Sequence, residues 1–381
     1  MWFRRLEIHD LRNLEDVGFD LEPGLNYFFG ANGAGKTAIL EAVHLLARGR
    51  SFRGPQPADL IRRGQSGATV HAVVDDEHRG QQSLGVSRAR AGRAELRING
   101  QPGRRLSQAA ELLPLQVMVP SLSDLVFGAP SERRQWLDWG LFHVEHNYLR
   151  TLRDYLHAVR QRNAALKAAA AGGLGLAELE AWTAEMARTG EAVSQSREAY
   201  LRDLAPEVTD VLQELAPEVE LDLSYRRGWP AGQTLRKVLG ESVPREVKLG
   251  ASQSGPHRAD VDLRASGSPA GASLSRGQGK SVASALMLAQ ARLLRRTARR
   301  SSVFLIDDIG AELDLPHAER FFRLLGGLGA QILATSSSGP GALAGLPDVE
   351  PALFHVEHGQ VRRMGSNEGE QAPDTRGKLN G

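Results

Sequence analysis

The sequence contains no cysteine. That excludes disulfides, thiolate metal sites and a cysteine nucleophile. No apolar run approaches the length needed to span a bilayer. Met1 to Asp10 lacks the apolar core of a secretion signal, so a cytoplasmic location is the expectation. A dominant charge sign is missing too. Lys and Arg total 47 against 45 Asp and Glu, a net +2, so total charge does not argue for nucleic acid; only local clusters can. Arginine nonetheless greatly outnumbers lysine, which reflects either compositional bias or a need for the planar, phosphate-matching guanidinium. The 381 residues, 41% hydrophobic and 24% charged, suit a globular chain with room for two lobes.

What is present begins with Gly30-Ala31-Asn32-Gly33-Ala34-Gly35-Lys36-Thr37, which fits the G-x-x-x-x-G-K-S/T pattern of a phosphate-binding loop. Glycines let the backbone turn so that successive N–H groups face phosphate oxygens. Lys36 supplies a point charge, and Thr37 a hydroxyl for Mg²⁺. The context agrees. Leu25 to Phe29 reads as a buried strand entering the loop, and Thr37 to Arg48 has apolar positions at helical spacing leaving it.

Before this loop, residues 1–29 read as strands. After it, Ala68 to Asp75, Gln82 to Ser87 and Ala94 to Ile98 read as strands of a partly exposed antiparallel sheet, with Asn99-Gly100 as a hairpin turn. Arg88, Arg90, Arg93, Arg97, Arg104 and Arg105 crowd this region, either as a solvated hairpin or as a phosphate-contacting surface. Leu113 to Val119 reads as a central strand. Ser131 is positioned to cap a helix from Glu132. Two long helices follow, one from about Tyr148 to Ala171 and one through Leu179 to Tyr200, separated by Gly172 to Gly175 and expected to form an antiparallel hairpin that Pro206 and Pro217 end. Leu235 to Leu239 reads as a short helix. From Lys248 the chain returns to α/β character. Residues 365–381 have no apolar content and are expected to be disordered.

Two further stretches carry chemistry. Val303 to Ile306 is an apolar strand delivering Asp307 and Asp308 to its carboxyl end, where an open α/β sheet binds ligand. Asp307 suits Mg²⁺, and Asp308 suits orienting or deprotonating an attacking water. Ser275 to Lys280 places a cap-forming serine and two glycines at the start of a long helix, a second anion site. The arginines Arg292, Arg295, Arg296, Arg299 and Arg300 end that helix; they read either as favourable charge at its C-terminus or as DNA contacts. Phe142 to His146 recurs as Phe354 to His358, a coincidence, since one copy reads as helix and the other as strand.

Leu274-Ser275-Arg276-Gly277-Gln278 resembles the signature sequence of ABC-type ATPases, and Ile309 to Asp314 resembles the D-loop that follows their Walker B strand. Leu11-Arg12-Asn13, Leu40-Glu41-Ala42, Gly49-Arg50-Ser51-Phe52-Arg53, Pro130 to Arg134 and Gly255-Pro256-His257-Arg258 resemble the RecF recombination-mediator family, whose members are similar to the ATPase heads of SMC-like proteins with a shortened helical lobe. The resemblance implies an α/β, ABC-type, SMC-head-like P-loop core with an antiparallel β subdomain and an inserted helical lobe. The parts are residues 1–120, a helical lobe at 121–245, a second head part at 246–364 and a tail at 365–381. It further implies ATP and Mg²⁺ as ligands and slow, DNA-stimulated hydrolysis. An ATP-dependent homodimer would clamp double-stranded DNA near single-strand gaps and junctions, cooperating with RecR and RecO in loading RecA.

By the same resemblance, Gly30, Ala31, Asn32, Gly33, Ala34, Gly35, Lys36 and Thr37 of one chain and Ser275, Gly277 and Gln278 of another sandwich one ATP. Arg12 and Asn13 touch nucleotide, Gln116 is a candidate metal-sensing glutamine, and Asp307 and Asp308 act on metal and water. The chain departs from the pattern in places. Ala334-Thr335-Ser336-Ser337 stands where transporter ATPases carry a histidine, Asp308 replaces a glutamate, and Ala259-Asp260 stands where two acids are more usual. Two rival readings are a transporter's ATPase subunit, against which the helical insert argues, and a DNA-binding scaffold with a vestigial ATPase.

Overall fold

A computed structural model describes residues 1–54, 56–92, 94–171, 176–309, 315–343 and 350–365. The chain divides into two compact units. One is Met1–Leu122 with the chain from Arg299 onward; the other is Ser123–Ala298. These limits differ from the sequence-based division at 245/246: residues 246–298, signature included, cluster with the helical stretch.

In the first unit, an antiparallel sheet has the order β2 (Leu14–Asp20), β1 (Trp2–Leu11), β4 (Gly67–Asp76), β5 (Gly80–Ala89), β6 (Glu95–Ile98), β7 (Gln101–Pro102). Alternation along β4 and β5 puts Val70, Ala72, Val74, Leu84 and Val86 inside. The turn after β6 has Asn99 and Gly100 both at positive φ, as the hairpin signal required.

A second sheet has the order β15 (Gln360–Arg363), β14 (Ala352–Glu357), β3 (Leu25–Phe29), β13 (Gln331–Ser336), β12 (Val303–Ile306), β8 (Leu115–Met118). Its pairings are parallel except for the β14–β15 hairpin. The helix Lys36–Arg48 is buried along nearly its whole length, and its Leu, Ile, Val and Ala side chains join those of both sheets in one core. Parallel strands buried on both faces read as unbroken apolar runs, which is why Val303 to Ile306 was legible. The same rule misassigns Leu113 to Val119: β8 is an edge strand of its sheet, not a central one.

The second unit is mainly helical. Helices Tyr148–Ala170 and Leu176–Leu215 pack antiparallel: Tyr148 meets Arg197, Tyr155 lies by Gly190, and Arg162 reaches Thr183. Gly172 to Gly175 lie outside the described residues. Pro206 lies inside the second helix rather than ending it. Buried Leu201, Leu204, Val208, Val211, Leu212 and Leu215 around it offset the roughly 3 kcal/mol an interior proline costs. The helix starting at Leu235 runs to Leu249, past Pro244, well beyond the short element expected. Ser131 is not the cap; the helix Pro130–Val144 starts two residues before Glu132, with proline in its first turn and Ala129 at the N-cap.

Arg162 and Glu246, both fully buried, form an ion pair that Thr183, Ser252 and the Leu239 carbonyl complete. A three-stranded antiparallel sheet, β11 (Ser268–Pro269), β10 (Asp260–Ala265), β9 (Leu221–Arg226), lies in this unit. Among the described residues no helix is long and apolar enough to cross a membrane. The tail from residue 366 lies outside the described residues.

Candidate functional site

The phosphate loop joins β3 to the helix Lys36–Arg48. Its glycines answer to distinct walls. A Cβ on Gly30 would stand 2.1 Å from the Val356 carbonyl oxygen, and one on Gly35 would meet Leu14 at 2.9 Å and Asn13 at 3.1 Å. Gly33 has open space around it but a φ of 80°. Lys36 Nζ donates to the carbonyl oxygens of Gly30 (2.7 Å) and Ala31 (2.9 Å), so the ammonium is held across the mouth of its own loop. Burial lowers its pKa below the usual lysine range, and Asp308 and Asp307 oppose that shift.

Parallel pairing of β12 with β13 sets Ile306 beside Ala334, so the next residues, Asp307 and Thr335, meet at the carboxyl ends of the strands. There Asp307 Oδ1 accepts from two hydroxyls: Thr37 Oγ1 at 2.9 Å and Thr335 Oγ1 at 2.8 Å. Thr335 Oγ1 also accepts from the Asp308 N–H at 2.9 Å. Asp308 has φ of 59°, a left-handed conformation uncommon for a non-glycine residue. Thr335 therefore fixes both acidic residues. Its sequence signal was only negative, the missing histidine.

Thr37 and Asp307 are hard oxygen donors suited to Mg²⁺. Among the described residues no group of three or more His, Cys, Asp or Glu forms a self-sufficient metal site. Mg²⁺ commonly takes one or two carboxylates and completes its shell with water and phosphate oxygens. Gln116 is not brought to this point. It is paired opposite Phe304 in mid-strand, three residues before the level of Asp307, or about 10 Å along a strand.

Arg12 is engaged by the helix that leaves the loop. It clasps Glu41, 1% exposed on the phosphate-loop helix, through Nε (2.9 Å) and Nη2 (2.8 Å), and the Ser51 hydroxyl bonds the same carboxylate. The bond to Glu41 raises the Arg12 pKa. Three separated motifs thus meet in one ion pair on the phosphate-loop helix, its carboxylate buried and its guanidinium 28% exposed. Asn13 does reach the loop, donating from Nδ2 to the Gly33 carbonyl at 3.1 Å.

In the second unit, Ser275 and Gln278 form a reciprocal capping box on the helix Arg276–Ala298. Ser275 Oγ accepts from the Gln278 N–H (3.2 Å), and Gln278 Oε1 accepts from the Ser275 N–H (3.0 Å). Ser275, Arg276 and Gly277 are exposed. Arg133 grips Asp260 at 2.8 and 3.0 Å, and Arg134 bonds the Ala259 carbonyl at 2.8 Å. The Pro130–Arg134 and Gly255–Arg258 motifs therefore belong together, and Ala259 serves through its backbone. Arg292 and Arg296 both pair with Glu207. Gly310 to Asp314, the D-loop stretch, lies outside the described residues.

The family model for the RecF/RecN/SMC N-terminal domain matches residues 2–341. The DNA replication and repair protein RecF of Pseudomonas fluorescens is 40% identical over 362 residues, covering 95% of this chain and 98% of that protein; RecF of Pseudomonas putida is 41% identical over the same span. A solved structure of the recombination mediator protein RecF with ATP superposes with a TM-score of 0.86 at 24% identity, over 96% of this chain and 98% of that one. An Smc head bound to the winged-helix domain of ScpA gives 0.57 at 15% identity, over 97% and 99%. The fold is that of the RecF-like and SMC-head ABC-type ATPases. By family model, sequence identity and fold together, the chain belongs to the RecF/RecN/SMC N-terminal domain family and, within it, to the RecF proteins of DNA replication and repair.

Proposed function

We propose that this chain is an ATP-switched clamp on double-stranded DNA, a recombination mediator that assists RecA loading near gaps together with RecR and RecO. The observation that carries the reading is the convergence of Thr37 and Asp307 at 2.9 Å, beside a lysine-bearing glycine loop at a helix N-terminus. That arrangement fits a nucleoside triphosphate with Mg²⁺. The solved RecF relative described with ATP supports the choice of nucleotide.

In this reading the loop N–H groups and Lys36 bind the outer phosphates. Thr37 and Asp307 would hold Mg²⁺, which would supply charge neutralisation at the phosphates. Asp308, fixed by Thr335, orients the attacking water and accepts its proton. The exposed Ser275 of another chain closes over the γ-phosphate, so two chains form two composite sites. The exposure of Ser275, Arg276 and Gly277 supports this, because the capping box engages the N–H groups of Ser275 and Gln278 and not those of Arg276 and Gly277.

Phosphate release measured with and without duplex DNA tests the reading. We expect DNA-stimulated turnover that is abolished in Lys36→Ala. Release no higher than in that variant would leave a DNA-binding scaffold instead.

A further inference from the structure

Beyond the nucleotide site, the first unit carries a cleft of about 540 Å³ between the β6–β7 edge of the antiparallel sheet and the segment leading to Leu106. Arg88, Arg97, Arg104 and Arg105 line it, and Leu96 and Leu106 form part of an apolar floor with Ala94 and Pro102. Other arginines of this unit are engaged by carboxylates: Arg4 with Asp75, Arg5 with Glu7 and Asp20, Arg12 with Glu41, Arg62 with Glu15. The four in the cleft form no ion pair among the described residues, nor does Glu95, the one acidic residue lining it. Arg90, nearby, is engaged by the carbonyls of Gln65 and Arg62. Arg93 lies outside the described residues.

Two features make the cleft a prepared receptor. Arg88 Nε is buried and has no hydrogen-bond partner among the described residues. The backbone N–H groups of Arg104 and Arg105 both donate to Gln108 Oε1, at 2.8 and 3.1 Å, so the segment carrying these side chains is fixed.

We propose that this cleft binds an acidic segment of a partner protein, one that carries at least one apolar side chain. The choice follows from shape and chemistry. Guanidinium groups without carboxylate partners, set around a concave apolar floor, suit carboxylates carried on short, flexible side chains. Duplex DNA is a broad convex cylinder that meets protruding arginines but leaves an apolar floor wet. An aliphatic floor without aromatic rings also gives a nucleobase no stacking platform. An acidic, apolar-bearing peptide satisfies rim and floor together.

The test uses the full chain without nucleotide, so its outcome is independent of the ATP reading. The probe is a fluorescein-labelled hexapeptide with two acidic residues on each side of a leucine–phenylalanine pair, followed by anisotropy. We expect saturable binding, weaker binding of a control peptide with serines in place of leucine and phenylalanine, and about a tenfold loss in Arg97→Ala/Arg104→Ala, the product of two exposed ion pairs. Affinity for a short DNA duplex should stay unchanged in that variant. Absence of saturable binding, equal binding of the serine peptide, or a loss of duplex affinity with peptide binding intact would each overturn the proposal, the last by assigning the surface to nucleic acid.

Discussion

Thr335 stands 2.8 Å from Asp307, with its hydroxyl on the same carboxylate oxygen that Thr37 bonds. It also receives the N–H of Asp308, whose left-handed backbone a free chain would rarely adopt. One buried hydroxyl thus holds the Asp307 carboxylate and the Asp308 backbone at once. Thr335→Val keeps the shape and removes both bonds. We expect a loss of roughly 1–3 kcal/mol of stability from the unsatisfied groups. ATP turnover should fall more than ATP affinity, and Thr335→Ser should restore both. Denaturant melts with kcat and KM measurements check this; an equal fall in affinity and turnover would place Thr335 in packing alone.

The Arg12–Glu41 pair makes a different prediction. Glu41 is nearly inaccessible, so removing its partner strands a buried charge. Arg12→Ala should destabilise the protein by roughly 3–5 kcal/mol. Arg12→Lys should also be less stable than wild type, because one ammonium cannot replace the two-point clasp. Urea unfolding gives the answer. If instead both variants unfold like wild type and raise only the KM for ATP, Arg12 contacts nucleotide and the ion pair is incidental.

His44, on the phosphate-loop helix, is pushed down to about 4 by burial, and its Nδ1 bonds the Arg50 carbonyl at 2.7 Å. The unfolded chain protonates near 6.5, so between about 4 and 6.5 the unfolded state holds more protons. Stability from this residue is complete above that window and is lost as pH falls through it. Wild type should lose about 2 kcal/mol between pH 7 and pH 5 that His44→Gln does not lose. Parallel pH profiles of denaturant midpoints for the two proteins decide it; identical slopes would mean that His44 does not titrate this way.

The parts of the site that were legible in the sequence are those made by consecutive residues. The glycine loop needs its own backbone conformations, the Ser275–Gln278 box closes within one turn, and Asp307 follows an apolar strand buried on both faces. What sequence alone did not reveal depends on partners far along the chain. Glu41 stood out only as part of a family-like motif, and its role as the shared partner of Arg12 and Ser51 shows only in the fold. Thr335 is identified by strand register, not by its neighbours. Leu113 to Val119 misled because apolarity reports two buried faces, whereas an edge strand is defined by a missing hydrogen-bonding neighbour, a perpendicular direction. Pro206 misled because local propensity lost to packing on both sides of it.

The central claim is that the site from Gly30 to Thr37 is completed by Ser275 of another chain. Light scattering on wild type and Ser275→Arg, each with and without ATP and Mg²⁺, tests it most directly. The account predicts that ATP doubles the mass of wild type while Ser275→Arg stays a monomer. A wild-type protein whose mass ATP leaves unchanged, or a Ser275→Arg variant that dimerises equally well, would contradict it.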